Sequence, residues 1–215
     1  MEIDPELLAQ PLSFERLSPY FDSCDGDLER SIRLYEWNSA VSGALFEVLA
    51  DVEVILRNAI HTTMTEWSIS KGHGPDWYDN SHGLLGSRLE KHVARARARV
   101  EEQKRQVSPE RIVSELSFGF WRYLLTSKYR TTIWPILSNG AFSRVQVGYE
   151  EMFFARVGRV HDLRNRIAHH EPIHGRRIER DLLDCLRILS AICPETTDWV
   201  QQRARVEAVL ENRPL

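Results

Sequence analysis

In a stretch of roughly forty residues, apolar side chains return at helical spacing. In DGDLERSIRLYEWNSAVSGALFEVLADVEVILRNAIHTTMTEW, residues Leu45, Leu49, Val52, Leu56 and Ala59 fall three or four apart. That is one face of a long helix. Asp25 or Asp27 is placed to cap its start. Glycine, proline and asparagine in KGHGPDWYDNSHG end it in a loop. SRLEKHVARARARVEEQKRQ resumes the helical period, with Leu89, Val93, Ala96 and Val100 inward. Arg88, Lys91, Arg95 and Arg99 form a basic stripe beside them. Ser108-Pro109-Glu110 opens a further helix, with serine as cap and proline in the first turn. It carries Ile112, Val113 and Leu116 into the aromatic cluster FGFWRYL. Pro135 and SNGAF mark a break. Residues from about Val147 to Ala168 read as helix, with Met152, Phe153, Val157, Val160 and Ile167 inward. RRIERDLLDCLRILSAI is another amphipathic helix, stopped by Pro194, and a last helix runs from roughly Asp198 to Leu210. No strand run, internal repeat or low-complexity segment interrupts the pattern. The expected class is all-α, a bundle of antiparallel helices. The 215 residues fit a single domain, 1–215, with a core of about 15–193 and a C-terminal helix within about 195–212.

Composition narrows the function classes. Hydrophobic residues make up 42% and charged residues 27%, the balance of a globular protein with a real core. Cys185 and Cys193 lie eight apart on one expected helix, about 12 Å along its axis, too far to bridge. With Cys24 the only other cysteine, a disulfide framework is not expected, and a reducing cytoplasm is the expected location. MEIDPELLAQPLSFERL has neither the basic nor the apolar region of a signal peptide. No apolar run reaches membrane-spanning length, so no membrane partner is expected. A formal net charge of −3 argues against binding nucleic acid through overall charge, but a local basic groove is compatible with it.

The densest chemistry lies in LRNRIAHHEPI, residues 163–173. Proline disfavours helical geometry in the residue before it, so the helix should end near His170. His169 and His170 then sit at its C-terminus, where the helix's partial negative charge favours a cation. Asn165 and His169 are four apart and share a face. Arg164 and His169 are five apart, about 140° round the axis. Arg164 must therefore reach round, or meet a histidine from a second copy of the helix. Arginine forks hydrogen bonds onto phosphate, and histidine moves protons near neutral pH. Together they suit cleavage of RNA at its own 2′-hydroxyl, in which arginine stabilises the anionic phosphorus and no metal is needed. The plainer reading pairs Arg164 and Arg166 with Asp162 or Glu171 on the surface and leaves the histidines capping carbonyls.

Arg164-Asn165-x-x-x-His169 resembles the signature of HEPN domains, whose ribonuclease members carry an arginine, a polar residue and then a histidine. Three blocks resemble one branch in content and order, the Abi-like proteins of bacterial abortive infection (AbiD/AbiF type). They are LYEWNSAVSGALFEVLADVEVILRNAIH at 34–61, ELSFGFWRYLL at 115–125 and LRNRIAHHEPI at 163–173. The resemblance covers most of residues 15 to 190. It implies an all-α HEPN-type helical bundle with additional helices, pairing through the motif helix, and RNA cleavage in phage defence or as a toxin. It makes Arg164 and His169 the catalytic pair and Asn165 their polar support. His170 also falls within the spacing tolerated in the wider superfamily.

Other residues carry weaker signals. Glu53 and Arg57 are four apart on the long helix and can pair in the favourable order. In the sharper reading, Glu53, Arg57 and Asn58 support the motif helix from behind. Arg57-Asn58 followed by His61 mimics the motif one residue short and is not a second active site. His170 and His174 have metal-ligand spacing, but Pro172 and Gly175 keep them off a shared helix face. No cysteine or carboxylate set completes a zinc site, so no metal and no cofactor is expected. The stripe Arg88, Lys91, Arg95, Arg99 is either a solvated face or a track for an RNA backbone. Phe118, Phe120, Trp121 and Tyr123 are expected in the core. The expected function is a homodimeric, metal-independent endoribonuclease acting on an RNA substrate. Nothing in the chain resembles a built-in inhibitor, so control by an RNA or protein antitoxin or a phage-derived signal is expected. The alternatives are a non-catalytic HEPN-type module that binds RNA or a protein, and a purely structural dimerisation domain.

Overall fold

The computed structural model describes residues 5–103, 106 and 108–214. Met1–Asp4, part of the segment read as lacking a leader, lie outside the described residues, as do Lys104 and Arg105 of the expected basic helix. Every regular element among the described residues is helical. The α-helices are α1 (Pro5–Leu12), α2 (Phe14–Ser23), α3 (Leu28–Ser70), α4 (Ser87–Glu102), α5 (Pro109–Glu115), α6 (Phe118–Leu124), α7 (Trp134–Asn139), α8 (Glu150–Ala168), α9 (Ile178–Ile192), α10 (Pro194–Arg203) and α11 (Val206–Glu211). Short 3₁₀ turns at Trp77–Asp79 and Ser127–Tyr129 join them. Among the described residues no helix is long and apolar enough to cross a membrane.

The axis of the fold is α3. Its 43 residues run roughly 65 Å, and α2, α6, α7, α8, α9 and α11 all pack against it. Asp27, not Asp25, caps it, with Oδ1 accepting from Arg30 N at 3.0 Å. Leu45, Leu49, Val52, Leu56, Ile60 and Met64 are fully buried along its length. The face thus continues through Ile60, and Ala59 is only half-buried. Buried side chains from Tyr20 to Val206 join in one connected cluster, with Phe118, Phe120 and Trp121 in it as the sequence leads one to expect.

Four details depart from the sequence reading, the first being that the helix opened at Pro109 stops at Glu115, where extended backbone at Leu116 and Ser117 separates it from α6. The helix expected from Val147 begins at Glu150, which leaves Val147 94% exposed. Met152 falls in its first turn and is 48% exposed rather than inward, and Phe153 and Phe154 fill the core instead. The last expected helix is two. Val200 and Val206 are both buried, yet on one continuous helix they would lie about 120° apart. Extended backbone at Ala204 breaks the helix and turns Val206 inward. Arg203 and Arg205 then pair with Asp51 and Glu47 of α3.

Two glycines set how closely α6 meets α8. A methyl at Gly119 would stand 3.4 Å from His161 Nε2, and one at Gly158 would stand 3.4 Å from Arg122 Nη2. This close crossing puts the FGFW segment against the turn of α8 that precedes Arg164-Asn165.

Candidate active site

Helix α8 ends in a Schellman turn. The Glu171 N–H donates to Arg166 O at 2.8 Å and the His170 N–H donates to Ile167 O at 2.9 Å. His169 is the C-cap, its N–H donating to Asn165 O at 2.9 Å. His170 occupies the left-handed position, with φ +56°. Glycine is usual there, because a side chain in that conformation crowds the following carbonyl. Beyond the turn the chain is tied to α3. Buried Asn38 accepts from the Ile173 N–H at 2.8 Å, and Ile173 is fully buried. His170→Gly is therefore expected to stabilise the fold by about 1 kcal/mol, raising Tm by about 2–4 °C in a chain of this size. Calorimetry on the variant checks it, and an unchanged or lower Tm refutes the strain.

The side chains of the motif fan out from this helix end. Arg164 faces α3, with Nε 3.4 Å from Glu53 Oε2. That nitrogen is shielded from solvent but makes no hydrogen bond. Distance and alignment thus disagree, and the contact is charge attraction without a directed bond. Glu53 pairs with Arg164 rather than with Arg57. Arg57 Nε instead donates to its neighbour Asn58 Oδ1 at 3.3 Å, and Asn58 is exposed. Asn165 faces the other way, its Nδ2 lying 3.2 Å from His161 Nε2. His161 Nδ1 is 3.2 Å from Asp162 Oδ1. One tautomer satisfies both contacts: Nδ1–H donates to Asp162, and Nε2 accepts from Asn165. Arg166 pairs with Glu171 at 3.0 Å, as the plainer reading expects.

Arg164 and His170 line one open groove of about 460 Å³. Arg16 of α2 and Asn38, Ser42 and Phe46 of α3 complete its walls. His169 is exposed at the same helix end but does not line this groove. Phe46 is 47% exposed at its edge. Arg16 carries no motif, Phe46 stands unremarked in the first resembling block, and the packing of α2 and α3 brings both to the helix end. Asn38 stands in the first resembling block, but its partner is 135 residues away. His161 lies one turn before Asn165 and was open to the same spacing argument that selected His169.

The remaining candidates lie apart. His174 does not share a site with His170. Its ring lies 4.8 Å from that of Tyr20, and its Nε2 is 3.0 Å from Ser23 Oγ. Burial, and then the nearby Arg213 charge, hold its pKa below the usual histidine value. His61 accepts from Trp77 Nε1 at 3.0 Å, and burial pushes its pKa down too. Both rings fit structural roles. On the basic stripe, Arg88 stacks over Tyr123 at 4.5 Å and Arg99 binds Glu115 at 3.3 Å, while Lys91 and Arg95 are exposed.

No curated protein and no solved structure gives a match to this sequence. A family model described as Abi-like protein matches residues 13–174, from the cap of α2 through α8 and its closing turn to His174. The match spans well over half of the chain, and the chain therefore belongs to the Abi-like protein family, which points to abortive-infection defence against phage.

Proposed function

We propose that the protein is a metal-independent endoribonuclease of the HEPN type, acting in abortive infection. The observation that carries this is the groove lined by both Arg164 and His170, with His169 exposed at the same helix end. Arg164 is held near Glu53 by charge without a directed bond, so a phosphate can exchange for that carboxylate. Arg16 adds a second guanidinium to the same wall. The nearby carboxylates Glu53 and Glu171 are each engaged by an arginine. The residues at hand thus supply cation and proton chemistry. His169 and Arg164 are proposed as the catalytic pair, with Asn165, steadied by His161, as support. Lys91 and Arg95 are proposed to guide the RNA backbone. Pairing of two copies through this face is proposed because a two-fold partner resolves the offset of Arg164 from His169. Phe46, 47% exposed at the edge of the groove beside Ser42, offers an apolar contact for that partner. Restraint by an RNA or protein antitoxin is proposed because such an activity needs external control.

The Glu53 contact also favours a second reading, a module that binds RNA or a protein without cutting. One assay separates them. The purified protein is incubated with RNA in excess EDTA, and the product ends are analysed. Cleavage is expected to persist and to leave 2′,3′-cyclic phosphates, with DNA resistant, because the nucleophile is the RNA's own hydroxyl. Activity that vanishes in EDTA and returns with magnesium refutes the mechanism, and RNA binding without cleavage favours the module.

A further inference from the structure

A cavity of about 720 Å³ lies between the start of α8 and the end of α9, and Arg144, Arg156 and Arg187 line it without any carboxylate among the lining residues. It stands apart from the motif, since Arg156 precedes Arg164 by eight residues, about 12 Å along α8. Arg156 is buried, and its Nε donates to Asp184 Oδ1 at 3.0 Å. Arg159 Nε donates to the other oxygen of the same carboxylate at 2.8 Å. Two guanidiniums thus share one buried carboxylate, and the wall behind the cavity keeps a net positive charge. Arg144 Nη1 donates to Ile192 O at 3.0 Å, which fixes it against the end of α9. Arg187 is exposed, and no ion pair holds it among the described residues. Glu195 is within electrostatic reach of Arg144, but it is fully exposed and bonded to Cys193.

Two large side chains beside the arginines are left out of the core, Tyr149 at 51% and Met152 at 48% exposed. Convergent guanidiniums suit an anion with several charges, and their forked donors match phosphate oxygens. Tyrosine and methionine offer a soft, flat surface on which a nucleobase stacks. The volume lies within the range of small-molecule sites. We infer that this cavity binds a nucleoside di- or triphosphate, with its phosphates on Arg144, Arg156 and Arg187 and its base against Tyr149 and Met152. The site is independent of the proposed cleavage.

Calorimetric titration of the full chain in EDTA tests it, with ATP, GTP, AMP, adenosine, pyrophosphate and a 2′-O-methyl hexaribonucleotide as probes. ATP or GTP is expected to bind saturably at one per chain and at least about tenfold more tightly than AMP, since charge-assisted bonds to the outer phosphates are lost. Adenosine and pyrophosphate, each half of the ligand, are expected to bind more weakly than the whole. Arg187→Glu is expected to weaken binding at least about tenfold, and Tyr149→Ala several-fold, with circular dichroism and Tm unchanged because both side chains are exposed. Absence of nucleotide binding overturns the proposal, and so does an unchanged affinity in Arg187→Glu. Pyrophosphate binding as tightly as ATP reduces the cavity to a plain anion site and overturns it as well. Binding of the hexanucleotide alone, lost in Arg187→Glu, would make this wall an RNA track instead.

Discussion

With Arg164 replaced by alanine, RNA cleavage is expected to fall by about 10²–10³-fold, the usual cost of removing one group that stabilises developing charge. His169→Ala should lose about 10²–10⁴-fold by removing proton transfer. The fold should survive both changes. Arg164 is one-third exposed and its contact with Glu53 is not a directed bond, so the pair contributes no more than about 1 kcal/mol. His169 is an exposed helix C-cap that acts through its backbone. His170→Ala is expected to have the smaller effect, although His170 shares the groove with Arg164. The proposed pairing accounts for that expectation, because His169 lies outside the groove of its own chain and would meet Arg164 from a second copy. Mixing the two inactive variants tests this. If each site takes arginine from one copy and histidine from the other, half of the random dimers regain one of two sites. About one quarter of wild-type activity should then return. No recovery on mixing, together with a larger loss in His170→Ala, would place the whole site within one chain around His170.

Much of the fold is legible because helical periodicity reports burial directly. The buried row on α3 follows the spacing of its apolar residues, and the drift from Ala59 to Ile60 is the small phase error expected over so many turns. Periodicity misleads where a charge is buried with a partner. In DLLDCL of α9, Leu183 is 43% exposed, while Asp181 and Asp184 are 6% and 3% exposed. The apolar pattern assigns these carboxylates to solvent. Arg176 turns Asp181 inward from the preceding loop, and Arg156 and Arg159 of α8 turn Asp184 inward. The candidate site divides in the same way. Its local part, the arginine, the amide and the histidines at a helix end before proline, stands in eleven consecutive residues. Its distant part, Arg16, Asn38 and Phe46, comes from α2 and α3, while Glu53, read from the sequence as support behind the motif helix, stands 3.4 Å from Arg164. No single-sequence spacing links residues more than a hundred positions apart.

The same buried carboxylate carries the largest expected effect on stability. Asp184 accepts from Arg156 Nε at 3.0 Å and Arg159 Nε at 2.8 Å, and it is 3% exposed. Asp184→Ala removes the partner but leaves the Arg156 guanidinium buried, which costs about 3–5 kcal/mol. At about 2–4 °C per kcal/mol for a chain of this length, Tm should fall by roughly 10 °C. The loss should depend on pH in a definite direction. Burial pushes the Asp184 carboxyl up, but hydrogen bonds from Arg159 and Arg156 outweigh it and hold its pKa below the ordinary 3.8. A carboxyl depressed in the folded state stabilises above its unfolded pKa and loses that contribution as pH falls through the folded value. The gap between wild type and Asp184→Ala should therefore stay constant from about pH 5 to 8 and narrow below about pH 4. Replacing Asp184 together with its buried partner, as Arg156→Met with Asp184→Leu, should recover most of the loss, because the apolar pair has no charge to desolvate and the remaining Arg159 side chain is 37% exposed to water. Denaturant unfolding of the wild type, Asp184→Ala and this double variant decides it. A double variant no more stable than Asp184→Ala would mean that the cost lies in packing, not in the stranded charge.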